Sequence, residues 1–374
     1  MSVKASVLAL VLVTACAAVG AGDGSGLPTS AHPKSVILMI GDGTGVAYWS
    51  AARLARKYLA VADFPVMGLV DTESASSRVT DSAAGATAYA SGLRTYNGAI
   101  GVSPDTTPME TVLEMARDQG KATGLVATVR INHATPAAFA AHVPSRSQYD
   151  EIARQMAGAG VTVMVGGGSG YFDGTARKDS LNLLATMGKL YTVVETPTDF
   201  LALDPDTVKM LLGLLGPKDL PAATGRSITL ADMTRTALSV LDHDADGFFV
   251  MVEGSQIDWM GHDNAPLPDV IAEVLDFDGA IREARRYQAS HPGTLIVVLA
   301  DHETGGLALN VDETGAFGAH YTTTGHTEEM VPLFAAGPGA ERFAGIHDND
   351  EVGRILMDLT TGNAPTPVPM ATGR

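Results

Sequence analysis

Four short hydrophobic runs, each followed closely by charged or histidine side chains, limit the folds that are open to this chain. The runs cover residues 35–40, 121–127, 248–252 and 294–300. Each has the length of a buried strand, and stretches with helical patterns separate them, so the order of elements predicts βαβ units. The sequence therefore predicts an α/β fold with a central, mostly parallel sheet.

The side chains that follow these runs are expected to meet in space. The carboxyl ends of parallel strands lie at one edge of a sheet, and open α/β sheets bind their ligands beyond that edge. Carboxylate oxygens and imidazole nitrogens in this number indicate a site for more than one metal ion. The residues concerned are Asp42, Arg130, His133, Glu253, Asp258, His262, Asp301 and His302.

The spacing of these candidate ligands fits shared ions. Asp258 and His262 are four residues apart, which places both on the same side of one helical turn. Asp301 and His302 are adjacent, and at the bend after a strand both can reach one ion. His326, in a loop further along the chain, could supply another ligand, although a lone histidine is more often structural.

Ser82 is the candidate nucleophile. It precedes a run of small residues, 83–90, which predicts a helix able to pack closely against a sheet. The first turn of a helix offers free N–H groups and the positive end of the dipole, which suit an anionic substrate. No Gly-x-Ser-x-Gly elbow surrounds Ser82, so activation of the hydroxyl by a metal fits better than a Ser-His-Asp triad. Ser82 or Asp81 could equally serve only as the helix N-cap.

Recognition of a phosphate group would need a planar, bidentate cation in the site. Arg146 is one candidate, because a guanidinium donates two parallel hydrogen bonds to phosphate oxygens. Taken alone, Arg146 could equally be a surface arginine.

An acidic motif in residues 242–247, followed by Glu253, matches the calcium-binding loop of EF-hands. An EF-hand needs a helix after that loop, whereas residues 248–252 have the pattern of a buried strand. The motif is therefore interpreted as an acidic turn before a strand.

The charge of the chain excludes one class of partner. Of 374 residues, 42 are acidic and 25 are basic, which gives a formal charge of -17. Such a charge argues against nucleic acid as a specific partner, because phosphate backbones are bound by Lys and Arg. Small phosphate substrates stay compatible with it, since bound cations reverse the charge locally.

The N-terminal residues have the pattern of an export signal. The apolar run at residues 5–15 has the length of a signal-peptide core and is too short to span a bilayer. Residues 13–16, which end in Cys16, resemble a bacterial lipobox, and the alternative is ordinary cleavage at 18–21. We therefore expect a signal peptide over residues 1–22 and an exported protein, either periplasmic or anchored to the outer membrane as a lipoprotein.

The remainder is expected to form a single catalytic domain, residues 35–360. Residues 23–34 are rich in Gly, Pro and Ser and predict a linker, and the composition of residues 361–374 predicts a flexible tail. Residues about 180–235 are interpreted as a small cap or insert. Further predicted elements are a helix over about 107–120 and short strands at 161–165 and 331–335.

Together these motifs resemble the alkaline phosphatase family. They occur in the family's order and cover roughly residues 35–340, so the set is far more specific than any one motif. The resemblance implies a three-layer α/β/α sandwich with a central, mostly parallel sheet, and hydrolysis of small phosphate monoesters. The matching segments are 40–43 (Ile-Gly-Asp-Gly), 80–84 (Thr-Asp-Ser-Ala-Ala), 134–138 (Ala-Thr-Pro-Ala-Ala), 142–146 (His-Val-Pro-Ser-Arg), 253–258 (Glu-Gly-Ser-Gln-Ile-Asp), 300–306 (Ala-Asp-His-Glu-Thr-Gly-Gly) and 325–327 (Gly-His-Thr).

The resemblance also implies a role for each matching residue. Ser82 would be the serine that becomes phosphorylated, Arg146 the phosphate clamp, and Asp81 the carboxylate that orients the clamp. Two Zn²⁺ and one Mg²⁺ would be bound. The implied ligands are Asp258, His262 and His326 for the first zinc, Asp42, Asp301 and His302 for the second, and Asp42, Thr135 and Glu253 for the magnesium.

Two positions depart from the best-studied bacterial form of the family. His133 stands in place of an aspartate, and Trp259 stands in place of a lysine, as in animal and some marine bacterial relatives. His133 is therefore expected beside the magnesium, as a neighbour or as a ligand of whichever ion binds there. Trp259 is expected to pack near the phosphate side of the site.

Other enzymes of the same fold are the nearest alternatives. Ser82 is followed by Ala-Ala-Gly, which disfavours a sulfatase, and a phosphodiesterase would need room for a second ester group. A non-catalytic phosphate-binding lipoprotein would need the clamp and the metals, but no serine between them. The resemblance leaves both a monomer and a homodimer open.

Overall fold

The computed structural model describes residues 32–362. The predicted signal peptide, most of the predicted linker and the predicted tail beyond residue 362 lie outside this range. Within it, no helix combines the length and the hydropathy that crossing a bilayer requires.

Strands within the described range form one large sheet and two small ones. In chain order the strands are β1 (Ser35–Gly41), β2 (Val66–Asp71), β3 (Ala122–Arg130), β4 (Val163–Gly167), β5 (Thr192–Val194), β6 (Leu211–Leu214), β7 (Phe248–Gly254), β8 (Thr294–Leu299), β9 (Glu303–Thr304), β10 (Ala308–Val311), β11 (Phe317–His320), β12 (His326–Thr327), β13 (Val331–Ala336) and β14 (Gly345–Asp348).

Helices fill most of the connections between these strands. In chain order they are α1 (Val46–Ala55), α2 (Ser82–Ser91), α3 (Val112–Asp118), α4 (Ala134–Ala137), α5 (Tyr149–Gly158), α6 (Leu183–Met187), α7 (Pro197–Leu201), α8 (Leu230–Leu241), α9 (Ile257–His262), α10 (Leu267–Ser290) and α11 (Asn349–Thr361), with 3-10 turns at Ala60–Asp63, Ser169–Tyr171, Pro205–Thr207 and Ala340–Phe343.

The large sheet has ten strands in the order β14-β2-β13-β8-β1-β7-β3-β4-β6-β5. Only β13 runs antiparallel to its neighbours, β2 and β8, and the other pairings of this sheet are parallel. The four hydrophobic runs form its adjacent central strands β8, β1, β7 and β3. The prediction of a mostly parallel sheet is confirmed, and the residues that follow these strands lie at one edge.

The sheet is covered on both faces, as strands with uninterrupted hydrophobic runs require. In β1, Val36, Leu38 and Ile40 point into one buried cluster, and Ile37 and Met39 point into another. Helices α2, α3, α5 and α11 pack on the first face, and α1, α8 and α10 pack on the second. The three-layer α/β/α sandwich is therefore confirmed.

The helix predicted over residues 107–120 begins later than expected. It is α3, and Thr111 caps it, because Thr111 Oγ1 accepts the Glu114 N–H at 3.2 Å. In return, the Glu114 carboxylate accepts the Thr111 N–H at 3.0 Å. This capping box fixes the start of the helix, whereas Pro108 lies upstream in an isolated β-bridge.

The segment interpreted as a cap, about residues 180–235, instead continues the central sheet at one edge. Within it, β6 pairs with β4, and β5 pairs with β6, both in parallel. The segment then enters α8, which packs on α10. Strands of three or four residues at an edge give little sequence pattern, so their pairing was missed.

Both ends of the described range are attached to the fold. The Lys34 N–H, at the end of the predicted linker, donates to the Gly293 carbonyl at 2.8 Å. Helix α11 includes Thr361, so the first residue of the predicted tail is helical, and Gly362 then ends the helix with a φ of 76°.

Candidate active site

Asp81 caps α2 and holds Arg146. Its Oδ1 accepts the Ala84 N–H at 3.1 Å and the Gly98 N–H at 3.0 Å, and its Oδ2 accepts Arg146 Nη1 at 2.9 Å. Burial would raise the pKa of Asp81, but Arg146 and the two N–H groups outweigh burial and hold that pKa below its ordinary value. The pair therefore stays charged, and the guanidinium has a fixed orientation.

Ser82 is the first residue of α2, and its hydroxyl faces the histidine that follows β8. Ser82 Oγ lies 3.3 Å from His302 Nε2, and the residue is 2% exposed. Because Asp81 is the N-cap, the Ser82 hydroxyl is free for chemistry. The small residues of α2 allow this approach, since a Cβ at Gly85 would lie 3.0 Å from the Asp301 carbonyl oxygen.

A first ligand cluster joins α9 to β12. His262 Nε2 lies 3.3 Å from Asp258 Oδ2 and 3.1 Å from His326 Nε2, and His326 Nε2 lies 3.5 Å from Asp258 Oδ1. On the far side of each ring, the Nδ1 atoms of His262 and His326 lie 2.6 and 2.8 Å from the carbonyls of Thr324 and Thr80. These carbonyls orient both rings so that Nε2 faces the cluster.

A second cluster adjoins the first at the ends of β1 and β8. His302 Nε2 lies 3.5 Å from Asp42 Oδ1 and 3.4 Å from Asp301 Oδ2, and all three residues are buried. The His302 ring stacks on the His326 ring with centroids 3.6 Å apart. His302 is also within ligand distance of the group that Asp258 and His326 form, so the two clusters share one wall.

A third cluster lies between β1, β7 and α4. Ligand atoms of Asp42, His133 and Glu253 all lie within 4.8 Å of one another. Arg146 Nη2 lies 3.4 Å from His133 Nε2, so the phosphate clamp borders this cluster. Thr135, in the same short helix, is fully buried. The structure therefore brings together the residues predicted for a third metal and places His133 among them.

Several atoms of these clusters are buried without a hydrogen-bond partner in the described part of the chain. Buried polar atoms almost always have a hydrogen-bond partner, so several neighbouring atoms without one need an explanation. Carboxylate, hydroxyl and imidazole atoms are the ligands that Zn²⁺ and Mg²⁺ take, and the residues present fit such ions. The orphaned atoms are both carboxylate oxygens of Asp42 and of Glu253, Asp301 Oδ2, His133 Nδ1 and Thr135 Oγ1.

The raised pKa values of the buried carboxylates also indicate that these clusters bind cations. Burial, reinforced by Asp301 and Asp258, raises the pKa of Asp42 well above its ordinary value. Burial raises the pKa of Glu253 to about 8, and burial together with Asp258 raises the pKa of Asp301 to about 6. Such crowding of anions is unfavourable in the chain alone and favourable around cations.

The histidines divide into two classes. Burial lowers the pKa of His302 and of His326 to about 4, and it lowers the pKa of His133 well below its ordinary value. Neutral imidazole is the form that binds metals. His262 differs, because its hydrogen bond with Asp258 raises its pKa to about 9. A metal at the first cluster would therefore displace a proton from His262.

Two predicted residues take packing roles. Trp259, on α9, is half-buried and packs against hydrophobic residues of both faces of the sheet. Arg130 is the last residue of β3, but it donates to both carboxylate oxygens of Asp219, at 2.9 and 3.0 Å, and lies over the Tyr149 ring at 4.7 Å. Its charge is therefore paired with Asp219 and not with the ligand clusters.

Sequence reasoning gave no role to Thr304. Its hydroxyl donates to Asp258 Oδ1 at 2.5 Å and lies 3.2 Å from His302 Nδ1, so it links ligands of the first and second clusters. The available signal was its place two residues after His302, within a motif already singled out. Its contact with Asp258 is long-range and has no local pattern.

Comparisons with known proteins agree with this geometry. The alkaline phosphatase family model matches residues 33–321. Alkaline phosphatase 3 of Bacillus subtilis is 35% identical, with 87% of this chain and 88% of that protein aligned. Streptomycin-6-phosphate phosphatase of Streptomyces griseus is 37% identical, with 91% of this chain and 92% of that protein aligned.

A solved structure shares the fold closely. The alkaline phosphatase of the Antarctic bacterium TAB5 is 37% identical, with a TM-score of 0.82 over 88% of this chain and 98% of that one. A variant of the TAB5 enzyme, with a histidine replaced by aspartate, has Mg bound in its M3 site. On the family match, these identities and the shared fold, this chain belongs to the alkaline phosphatase family and is a metal-dependent phosphatase.

Proposed function

We propose that this protein hydrolyses small phosphate monoesters through a phosphoserine formed on Ser82. The observation that carries the proposal is the position of the Ser82 hydroxyl, between the ligand clusters and the clamp that Asp81 and Arg146 form. Family membership supports the reaction class. A protein that only bound phosphate would need the clamp, but not a buried serine hydroxyl aimed between metal ligands.

We assign two Zn²⁺ and one Mg²⁺ to the three clusters. The first cluster offers two histidines and the second offers one, and imidazole suits zinc, whereas the assigned ligands Asp42, Thr135 and Glu253 of the third cluster offer only oxygen, which suits magnesium. Mg bound in the M3 site of the TAB5 variant, in which an aspartate replaces a histidine, supports magnesium as one of the ions that this family takes. The ligands assigned are Asp258, His262 and His326; Asp42, Asp301 and His302; and Asp42, Thr135 and Glu253, with His133 beside the last group.

When bound, these ions would lower the pKa of the groups they touch and neutralise charge on the phosphate oxygens. The chain's own residues do the rest. Arg146 donates to the equatorial oxygens, and Asp81 fixes its orientation. Ser82 Oγ attacks phosphorus while the bond from phosphorus to the alcohol breaks, and water then hydrolyses the phosphoserine. Inorganic phosphate leaves, and the Ser82 hydroxyl is regenerated.

The first experiment is a turnover assay at alkaline pH on three chromogenic substrates: a phosphate monoester, the matching diester and the matching sulfate ester. We expect hydrolysis of the monoester, loss of activity after treatment with a chelator, and recovery when Zn²⁺ and Mg²⁺ are restored together. Restoring Zn²⁺ alone or Mg²⁺ alone is the control that distinguishes the zinc sites from the magnesium site. Preference for the diester or the sulfate would refute the substrate class, and turnover that survives chelation would refute the metal assignment.

We further propose that the protein is exported, lipidated at Cys16 and dimeric. The first two points rest on the pattern of residues 1–22. The third is supported by Val46 and Met67, which are 55% and 59% exposed beside a shallow depression lined by Trp49 and Phe334. Cell fractionation and light scattering are expected to give a membrane-bound protein with the mass of two chains. Release from the membrane by Cys16→Ser would confirm the anchor, and a mass of one chain would exclude the dimer.

A further inference from the structure

Glu303 is a buried carboxylate beside the ligand clusters, and the proposed chemistry gives it no role. It follows His302 directly, begins β9 and is 2% exposed. Its Oε2 accepts the Gly306 N–H at 3.0 Å and the Thr327 hydroxyl, and its Oε1 accepts the Leu307 N–H at 3.1 Å. Both oxygens are therefore engaged, by donors from two separate segments.

These donors lie at the two ends of one long segment of the chain, residues 306–327, which is called the excursion below. Gly306 and Leu307 begin it, the hairpin of β10 and β11 lies within it, and Thr327 ends it. The backbone closure consists of the two-residue strands β9 and β12 and of adjoining bonds, in which the Gly305 N–H donates to the Gly325 carbonyl at 2.9 Å and the Gly305 carbonyl accepts the Thr322 and Thr323 N–H groups at 3.0 and 3.2 Å. Closing a long loop costs conformational entropy, so further hydrogen bonds between its two ends act as reinforcement of this closure. The Glu303 carboxylate supplies that reinforcement through side-chain hydrogen bonds.

The closure sets the position of a ligand histidine. His326 immediately precedes Thr327 in β12, and its ring is held between the Thr80 carbonyl, at 2.8 Å from Nδ1, and the stacked ring of His302. A small displacement of β12 would move His326 Nε2 away from Asp258, which now lies 3.5 Å away. Metal affinity is sensitive to such displacements, because residues that orient ligands control it strongly.

The position of Glu303 itself is fixed by its neighbours. A Cβ at Gly45 would lie 2.5 Å from Glu303 Cγ, so the glycine leaves the space that the side chain fills. In the same strand, the Thr304 N–H donates to the Gly43 carbonyl at 3.1 Å. The carboxylate is therefore anchored to the turn that carries Asp42, and it holds the segment that carries His326.

The donors also explain why a carboxylate is needed. An ionised carboxylate accepts at both oxygens, whereas glutamine has the same shape but one accepting oxygen and an amide that only donates. In Glu303→Gln the amide would face either the Leu307 N–H or the Gly306 N–H, so one of these backbone donors would lose its acceptor, whereas the Thr327 hydroxyl can also accept and would keep a bond. Leaving a buried donor unpaired is costly.

We propose that Glu303 is a positioning residue that keeps His326 in the geometry needed to hold a metal ion. This inference rests on the metal site of the proposed function. Glu303 acts through Thr327 and through the backbone of Gly306 and Leu307, and it contacts neither substrate nor metal.

The test measures metal retention, not turnover. The full chain and its variants are loaded with Zn²⁺, and transfer of zinc to a chelating indicator is followed over time. We expect Glu303→Gln and Thr327→Val to release the most labile zinc about 10-fold or more faster than the unmodified chain. Thr327→Ser keeps the hydroxyl and is expected to retain zinc. Glu313→Gln, in the exposed turn of the same excursion, is the matched control and should change nothing.

Melting curves separate positioning from a general loss of stability. If both variants lower the melting temperature equally with and without zinc and release zinc at the unmodified rate, Glu303 is only structural and the inference is overturned. If Thr327→Ser also loses zinc, the hydroxyl bridge is not the cause, and the inference fails as well. Failure of the unmodified chain to bind zinc would instead overturn the proposed function.

Discussion

Replacing Ser82 with alanine is expected to lower turnover of phosphate monoesters by about 10⁴-fold or more, because the oxygen that would receive the phosphoryl group is lost. Ser82 is 2% exposed, and its hydroxyl oxygen lies 3.3 Å from His302 Nε2. Removing one oxygen leaves the ligand clusters and the Asp81 cap in place. Zinc content and melting temperature should therefore stay close to those of the unmodified chain, while kcat falls.

Steady-state kinetics on a chromogenic monoester and metal analysis of the same sample make this measurement. Ser91→Ala is the matched control, because Ser91 is also buried in α2 but bonds the Thr87 carbonyl at the other end of the helix. We expect that control to keep most of its activity. A second readout is phosphate trapped on the protein by acid quenching, which should map to Ser82 and be absent from Ser82→Ala. Undiminished turnover by this variant would mean that water attacks the ester directly.

The parts of the fold that were predicted are those with strong local patterns. The strands β1, β3, β7 and β8 are buried on both faces, so each is a hydrophobic run that stands out from its surroundings. The last two strands at one side of the sheet, β6 and β5, are four and three residues long, and they become strands only because β4 offers a partner to β6 and β6 offers a partner to β5. The pairing of such short segments depends on contacts far away in the sequence, and local patterns do not record it.

In the candidate site, too, the residues that could be predicted from the chain are those with a local sequence pattern. Asp258 and His262 are related by helical periodicity, and Asp42 and Asp301 by their position after strands, so these residues could be proposed from the chain itself. His326 reaches the site through the two-residue pairing of β12 with β9, which has no pattern of its own. From the chain itself it is a possible ligand that a structural role fits as well, and its assignment to the first zinc follows from the resemblance to a known family.

The sequence alone could not decide whether Asp81 or Ser82 caps α2, and therefore whether the Ser82 hydroxyl is free for catalysis. Asp and Ser both cap helices, and locally either Asp81 or Ser82 could do so. The Gly98 N–H and Arg146, distant in sequence, converge on Asp81 and make it the cap. The hydroxyl of Ser82 is thereby left free, which no local pattern could have shown.

Removal of the metal ions is expected to make the folded chain less stable as the pH rises from about 6.5 to about 9. In the metal-free chain burial raises the pKa of Glu253 from 4.5 to about 8, so across this range the folded state holds a proton that the unfolded state has already lost. The bond to Asp258 raises the pKa of His262 from 6.5 to about 9, with the same sign. Because the folded state binds more protons, its stability falls as the pH rises.

The remaining histidines do not offset this loss. Burial lowers the pKa of His302 and of His326 to about 4 and also lowers that of His133, so all three are neutral in the folded chain. The unfolded chain loses these protons just above pH 6.5, so their opposing contribution is confined to the lower end of the range. Between pH 6.5 and 8 the loss from Glu253 is on the order of 2 kcal/mol, since each unit of pKa difference is worth about 1.4 kcal/mol, and the loss from His262 is smaller than its pKa shift implies because solvent screens its 39% exposed side chain. In the loaded protein the cations keep Glu253 ionised and His262 neutral throughout, so no comparable loss is expected.

Melting curves of chelator-treated and metal-loaded protein, recorded between pH 6.5 and 9, test this expectation. The melting temperature of the metal-free chain should fall steadily across the range, and the gap to the loaded protein should widen. Glu253→Gln removes one of the groups that hold an extra proton in this window, so its metal-free form should show a flatter slope up to about pH 8. Glu313→Gln, which changes an exposed carboxylate, should leave the slope unaltered. Parallel curves for the two forms of the unmodified chain would show that the buried carboxylates titrate normally without metal, and the electrostatic account of the site would then be wrong.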